Sequence, residues 1–351
     1  MRQSRGKGAE EKVYEMKKKP VIVLTGPTAV GKTELSLRLA EEVSGSIVSA
    51  DSMQVYRRMD IGSAKIMPEE MRGIPHYLID VLDPEEDFNV FLFQKMAKQA
   101  MEKIWAMGEV PIITGGTGFY IQAVLRDIDF SEDQGKTSYR EYLEKLAEEQ
   151  GTETLHEMLR AVDPKAAEEI HPNNQKRVIR ALEFFHETGS RISAHNEEQK
   201  EKESPYCFLY FVLTDDREVL YDRIDRRVDR MVENGLVDEV KALMDSGLTE
   251  EHVSMKGLGY KELFPYFRGE YDLDEAVRII KRDTRHFAKR QLTWFNREQH
   301  IVWLDKRDFD HDEDAMLAYM VSLWRAKLSA EESAEAAEAA EAAGAAAGAA
   351  E

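Results

Sequence analysis

Cysteine is nearly absent from this chain: Cys207 is the only one in 351 residues. A single thiol excludes an intramolecular disulfide and any cysteine-rich zinc site, and it fits a reducing compartment. Long apolar runs are missing as well, and no stretch reaches the roughly 18 residues that a membrane-spanning helix needs. Met1 to Pro20 is rich in Lys, Arg and Glu and lacks the apolar segment of a secretory signal. These absences read as a cytoplasmic protein with no membrane contact. There is no basic surplus either: 48 Lys and Arg stand against 67 Asp and Glu, a formal net charge of −19. That sum excludes a protein that coats nucleic acid through general positive charge. It does not say where the charges lie.

What is present suffices for a folded core. Hydrophobic residues make up 42% of the chain, too many for wholesale disorder, and the length suggests about two domains at roughly 150 residues each. Val21 to Thr25 is a short β-branched run that reads as a buried strand, and apolar residues at helical spacing follow from Leu35 to Val43. Further strands are expected at Ser46–Ala50, His76–Leu82, Val110–Thr114 and Tyr206–Leu213. A helix is expected over Phe88–Met107, with Asp87 and Asn89 as N-cap candidates. Strands alternating with helices imply a parallel sheet covered on both faces.

The texture changes between about residues 126 and 205, where charged helical segments dominate. The expected architecture is therefore α/β: a P-loop parallel-sheet core flanked by helices (20–125 and 206–327), interrupted by a helical insertion domain (126–205). Residues 1–19 read as a flexible basic N-terminus and 328–351 as a low-complexity tail. From Ser329 onward that tail holds only Ala, Glu, Gly and Ser. It reads as a solvated helix or a disordered segment, since it has helix propensity but nothing large to bury. Its six Glu leave the rest of the chain at −13.

The first site is the run Gly26-Pro27-Thr28-Ala29-Val30-Gly31-Lys32-Thr33, which fits G-x-x-x-x-G-K-[ST] between an expected strand and an expected helix. Its glycines allow close backbone approach, its amides form an anion nest at a helix N-terminus, and Lys32 adds a point charge. The Thr33 hydroxyl can ligate Mg²⁺. A di- or triphosphate should bind here. No N-K-x-D guanine motif occurs, and only Tyr77-Leu78-Ile79-Asp80 resembles a hydrolytic Walker B strand, so phosphate chemistry of a kinase type competes with hydrolysis.

Asp51 directly follows the second expected strand, whose C-terminal end should face the ligand crevice. Three roles are open to it from the residues alone: a water-mediated Mg²⁺ ligand, a general base, or the N-cap of a helix just after it. The polar stretch Gln54 to Lys65 reads as a substrate loop. Gly115-Gly116-Thr117-Gly118 follows another strand end and reads equally as a ligand-facing turn or as a tight connection.

Taken in order, GPTAVGKT, DSMQVYRRMDIGSAK, GIPHYLID, GGTGFY, HPNNQKRVIRALE and TRHFAKRQLTWF resemble the tRNA dimethylallyltransferase (isopentenyl-tRNA transferase) family in its bacterial form. The resemblance spans about residues 20 to 305. It implies transfer of a dimethylallyl group from its diphosphate to N6 of adenosine 37 in tRNAs reading codons that start with U. In that case the P-loop holds an isoprenoid diphosphate and no nucleotide need be hydrolysed. A P-loop small-molecule or nucleotide kinase is the alternative.

The resemblance also implies roles for particular residues. Asp51 becomes the base, and Lys32, Thr33 with Mg²⁺, and Arg227 stabilise the diphosphate. Asp51, Ser52, Met53, Gln54 and Thr117 become the contacts to the target nucleotide. Lys176, Arg177, Val178, Ile179 and Arg180, beside the insertion, and Arg285, Lys289 and Arg290 become tRNA contacts. Arg223, Arg226 and Arg230 could instead form a solvated face of i,i+4 ion pairs. Phe287 and Trp294, seven residues apart, could be core positions of the same helix.

Two departures stand out. Val30 is branched where small residues are commoner, which could narrow the pocket, and Ser63 stands where Thr is usual. Lys281 to Arg297 carries six basic residues against Asp283, a local charge of +5. The expected picture is a monomer with an acidic outer surface and a basic channel between core and insertion for the anticodon stem-loop.

Overall fold

The computed structural model describes residues 18–130 and 137–348. Most of the expected flexible N-terminus and the end of the tail lie outside the described residues. The described part divides into two units, residues 126–204 and the remainder. The main unit runs β1 (Lys19–Thr25), α1 (Lys32–Val43), β2 (Gly45–Ser49), β3 (His76–Tyr77), α2 (Val90–Ala106), β4 (Val110–Gly115) and α3 (Gly118–Leu125). The second unit holds α4 (Ser138–Gln150), α5 (Thr152–Val162), α6 (Pro164–Glu169), α7 (Gln175–Thr188) and α8 (Ile192–Glu201). The main unit then resumes with β5 (Tyr206–Thr214), α9 (Arg217–Glu233), α10 (Leu236–Asp245), α11 (Leu263–Phe267), α12 (Leu273–Phe295), β6 (Ile301–Asp305) and α13 (Glu313–Gly348).

The six strands form one all-parallel sheet in the order β3-β2-β4-β1-β5-β6. β1 lies between β4 and β5, with Ile22 level with Ile112 on one side and Leu209 on the other. Its side chains alternate between two separate cores. Val21 and Val23 pack with α2, α10 and α12, whereas Ile22 and Leu24 pack with Leu35 and Leu39 of α1 and Met320 and Trp324 of α13. A strand buried on both faces reads as a continuous apolar run, which is why β1, β2, β4 and β5 are visible in the sequence. No helix among the described residues is long and apolar enough to cross a membrane.

Two strand expectations change, and one of the two cap candidates is selected. The strand expected over His76–Leu82 stops at Tyr77, because Leu78 and Asp80 take positive φ angles of 64° and 54° and the chain turns out of the sheet. Asn89 rather than Asp87 caps α2, accepting from Leu92 N–H at 2.9 Å. β6 has no counterpart among the expected strands. The tail is helical to Gly348, continuous with the packed part of α13.

The second unit has its own small core, built by Leu143, Leu155, Leu159, Val178 and Leu182. Asp163 ties α6 to α8: its carboxylate accepts from Ala166 N–H, Ser193 N–H and the Ser193 hydroxyl at 2.6–3.1 Å. Glu183 accepts from Arg140 and from the Thr137 hydroxyl, which fixes the start of α4 on α7.

Candidate active site

The carboxyl ends of the central strands open into a cleft of about 710 Å³, lined entirely by the main unit. Three loops converge there: the turn from β1 to α1, the segment after β2, and the turn from β4 to α3.

The first loop is the phosphate cradle. Gly26 has φ 148°, and a Cβ there would lie 2.3 Å from the Leu213 carbonyl oxygen at the end of β5, so only glycine fits. Gly31 provides no side-chain cap for α1, which leaves the first amides of that helix for an anion. The Lys32 ammonium folds back onto the loop and donates to the Gly26 and Pro27 carbonyls at 2.9 and 2.8 Å. Burial, with Arg227 adding to it and Asp51 opposing, lowers its pKa to about 7. Thr28, Ala29, Gly31, Lys32 and Thr33 line the cleft, whereas Gly26, Pro27 and Val30 are buried behind them. Val30 is fully buried in the α1 core. It therefore does not narrow the pocket, contrary to expectation.

The second loop begins with Asp51. Its Oδ1 accepts from Met53 N–H at 2.8 Å and Gln54 N–H at 3.4 Å, so the carboxylate closes its own turn while lining the cleft with Ser52, Met53 and Gln54. No helix starts after Asp51, so the expected helix-cap role does not hold; its carboxylate closes a turn instead, and that leaves a role in the cleft open. Farther along, Lys65 is buried and donates to the Tyr56 carbonyl, Asp60 and Asp80 at 2.5–2.6 Å. This pairing disposes of Asp80 as a Walker B acid. It follows edge strand β3, which β2 and β4 separate from β1, and its partner is Lys65. Ser63 is buried and donates to the Met59 carbonyl at 2.6 Å.

The third loop brings Gly116 and Thr117 to the cleft, tied to the end of β2 by Thr117 N–H donating to the Ala50 carbonyl at 3.3 Å. Tyr120 follows one turn later. Burial and the nearby Asp51 push its phenol up to about 12, so it stays protonated. Tyr120 stacks on Phe93 with centroids 4.7 Å apart and meets Phe88 edge-on. Phe88, Tyr120, Ile224, Val228 and Met231 give the cleft an apolar wall.

α9 contributes Arg227. It lines the cleft, burial lowers its pKa, and among the described residues no carboxylate pairs with it. Its neighbours differ. Arg223 is paired with the buried Asp215 at 2.7 Å, and Arg226 pairs with Asp222 one turn away. The solvated-pair reading therefore holds for Arg226. Arg230 is exposed and lines the cleft.

Gln291 of α12 is a site residue that the sequence did not single out. It is buried, accepts from Thr28 N–H at 3.0 Å and donates to the Gly116 carbonyl at 2.9 Å, so one amide clamps the first loop to the third. The only hint was a polar residue on the face that also carries Ala288 and Phe295, the true buried positions of this stretch. Phe287 and Trp294 are only partly buried. Replacing Gln291 by Ala removes both bonds from half-buried partners at the cleft, and is expected to destabilise the fold by about 1–2 kcal/mol, measurable by urea unfolding.

The proposed RNA contacts fall into different classes. Lys289 and Arg290 are exposed, and Arg290 lies over the Phe287 ring and lines the cleft. Arg285 instead pairs with Asp225 of α9, Lys281 pairs with Asp229, and Arg282 pairs with Asp283. Two acids of α9 thus reduce the local +5 to about +3, since Asp283 is already counted in it, and Lys289 and Arg290 stay exposed. In the second unit Lys176 and Arg177 are exposed and Arg180 is half-buried, but Val178 and Ile179 are buried in that unit's core. Their apolar side chains pack α7 and cannot reach RNA.

Fold and site together define a P-loop α/β protein of the transferase kind, with a phosphate-type cradle, a carboxylate and an apolar wall lining one cleft. The IPP transferase family matches residues 54–298. The tRNA dimethylallyltransferase of Lachnoclostridium phytofermentans is 58% identical over 308 residues, covering 88% of this chain and 98% of that protein. That of Bacillus cytotoxicus is 51% identical, covering 84% and 92%. Among solved structures, the tRNA isopentenylpyrophosphate transferase of Bacillus halodurans superposes with a TM-score of 0.67 at 43% identity, covering 89% of this chain and 99% of that one. A eukaryotic dimethylallyltransferase acting on tRNA gives 0.73 at 31% identity, covering 82% and 73%. The chain belongs to the IPP transferase family.

Proposed function

We propose that this chain transfers the dimethylallyl group of dimethylallyl diphosphate to N6 of adenosine 37 in tRNAs that read codons starting with U, releasing diphosphate. One observation carries the reading: the phosphate cradle, Asp51 and an apolar wall share one cleft. An isoprenoid diphosphate needs a polar seat for its head and an apolar one for its tail. An adenine amine, whose lone pair is delocalised into the ring, needs a base.

In this reading the C–N bond forms at the allylic carbon as the C–O bond to diphosphate breaks, and the amine proton passes to Asp51. The cradle amides, Lys32 and Arg227 stabilise the charge that develops on the leaving diphosphate. The target base leaves its stack to enter the cleft, where Ser52, Met53, Gln54 and Thr117 surround it. Lys176, Arg177, Lys289 and Arg290 are the exposed cations proposed to meet RNA phosphates. Among the described residues no cluster of His, Cys, Asp or Glu could hold a metal on its own. The donor set suits a Mg²⁺ that would arrive with the diphosphate, which Thr33, exposed and lining the cleft, would help to hold through its hydroxyl. When bound, that ion adds charge neutralisation at the leaving group. A cytoplasmic monomer is the proposed form.

Incubation with labelled dimethylallyl diphosphate and an anticodon stem-loop hairpin tests the reading, with label in the RNA as the expected result. Transfer of γ-phosphate from ATP to a small acceptor would favour a kinase instead.

The low Lys32 pKa adds a pH dependence. Above pH 7 the free enzyme's Lys32 is largely neutral, and a bound diphosphate restores its charge by drawing in a proton. Diphosphate affinity should therefore fall as pH rises through 7. Calorimetry at pH 8 in buffers of different ionisation enthalpy should show more proton uptake for the native protein than for Lys32→Met.

A further inference from the structure

The loop that bears Asp51 is seated by a carboxylate that does not line the cleft. Glu239 lies in the first turn of α10, 177 to 179 residues away in sequence from its backbone partners. Its Oε2 accepts from Asp60 N–H at 2.8 Å and Ile61 N–H at 2.7 Å. Its Oε1 accepts from Gly62 N–H at 3.0 Å and from the Tyr260 hydroxyl at 2.7 Å. Tyr260 is fully buried, and its ring sits where a Cβ on Gly62 would be, 2.5 Å from two ring carbons. The seat is therefore built to close on a bare backbone: three successive amides converge on one charge, with a ring filling the space beside them.

From that seat the path to the site is short. Gly62 and Ser63 line the cleft on the other side of the loop. The Gln54 side chain donates to the Ser63 and Ala64 carbonyls at 3.4 and 3.3 Å, and the Gln54 amide is held by Asp51. Lys65 pins the end of the same loop through the Asp60 carboxylate. Hydrogen bonds thus link the loop to Gln54 and Asp51, and Glu239 joins that chain of contacts to α10.

We propose that Glu239 is a positioning residue for the RNA substrate: by holding the 60–62 amides it presets Gln54 and Asp51 around the target nucleotide. The inference rests on the transfer reaction proposed above. Glu239→Gln replaces one acceptor oxygen by an NH₂ that faces two donors. It is expected to lower kcat/KM for the hairpin by about ten- to a hundredfold, as loss of charge-assisted bonds does. KM for dimethylallyl diphosphate and the calorimetric Kd for inorganic diphosphate should stay within about twofold, because the cradle stands on other elements. Amide hydrogen exchange of the free enzyme should quicken at 60–62 and stay unchanged in β1 and β4. Tyr260→Phe, which removes one of the four bonds and keeps the charge, should show the same pattern in smaller measure, and Glu239→Asp should recover part of the loss.

Unchanged exchange at 60–62 in Glu239→Gln would overturn the proposal. Exchange rising throughout the sheet, or weakened diphosphate binding, would overturn it too, by making the residue a general stabiliser. Native enzyme that fails to prenylate the hairpin would refute the transfer reaction itself, and the exchange comparison would still judge the seat.

Discussion

Asp51→Asn is expected to slow single-turnover transfer by about 10²–10⁴-fold, the span over which a positioned general base acts, while hairpin affinity changes little. The choice of Asn comes from the turn. Asp51 Oδ1 holds the Met53 and Gln54 amides, and the carbonyl oxygen of Asn can keep both bonds. What Asn cannot do is take a proton. Asp51→Ala removes base and turn together, so its losses would mix chemistry with loop disorder. Rapid-quench kinetics and hairpin binding, measured on both variants, separate the two. An Asn variant as fast as the native enzyme would exclude Asp51 as the base. An Asn variant that loses RNA binding along with rate would make it a contact residue.

The second large effect is expected at Arg227. This guanidinium is half-buried with its pKa lowered by desolvation, has Lys32 as a like-charged neighbour, feels Asp51 as a partly opposing charge, and among the described residues is in no ion pair. Such an arrangement is unfavourable until an anion arrives, as active sites often are. Arg227→Gln is therefore expected to reduce transfer by about 10²–10³-fold, as removal of one donor to a developing charge does. It should leave the thermal midpoint of the free protein unchanged or slightly raised, because the desolvation of this cation and its repulsion with Lys32 are removed, with only the attraction of Asp51 lost in exchange. A variant within threefold of native activity would remove Arg227 from the diphosphate site. A markedly lowered midpoint would make it structural.

The parts of this site that the sequence reveals are those written in consecutive residues. The cradle is a run of eight between a buried strand and a helix, and Asp51 is one step past a strand end, so local pattern locates both. Other parts depend on pairings between distant segments. Gln291 reads as one more polar residue on a basic helix until Thr28 and Gly116 are seen on either side of it. Glu239 reads as an ordinary surface acid near a helix start, a place where acids are favourable anyway. Phe88 and Tyr120 form an apolar wall only because α3 and the residues leading into α2 are folded against each other. Charge counting misleads for the same reason: the acids that quench Lys281 and Arg285 lie on α9, more than fifty residues earlier in the chain. A window along the sequence sees the cations and not their partners. Within a single helix the limit is periodicity. Val178 and Ile179 sit between Arg177 and Arg180, and only the packing of α7 shows that the pair faces inward.

The fold was legible to the same degree. Strands buried on both faces were plain, while β6 and the shortened β3, at the two edges of the sheet, were missed or overextended. An edge strand needs an apolar covering on fewer sides and carries a weaker pattern.

In the proposed reaction an exocyclic adenine amine attacks an allylic carbon in the cleft shared by the phosphate cradle and Asp51. The most direct measurement is label transfer from dimethylallyl diphosphate to two anticodon hairpins that differ only at position 37. With adenosine there, one C5 group per hairpin should appear on N6 of that nucleoside. With guanosine, which lacks that amine, none should. Equal labelling of both hairpins, or no labelling of either while ATP donates its γ-phosphate to a small acceptor, would contradict it.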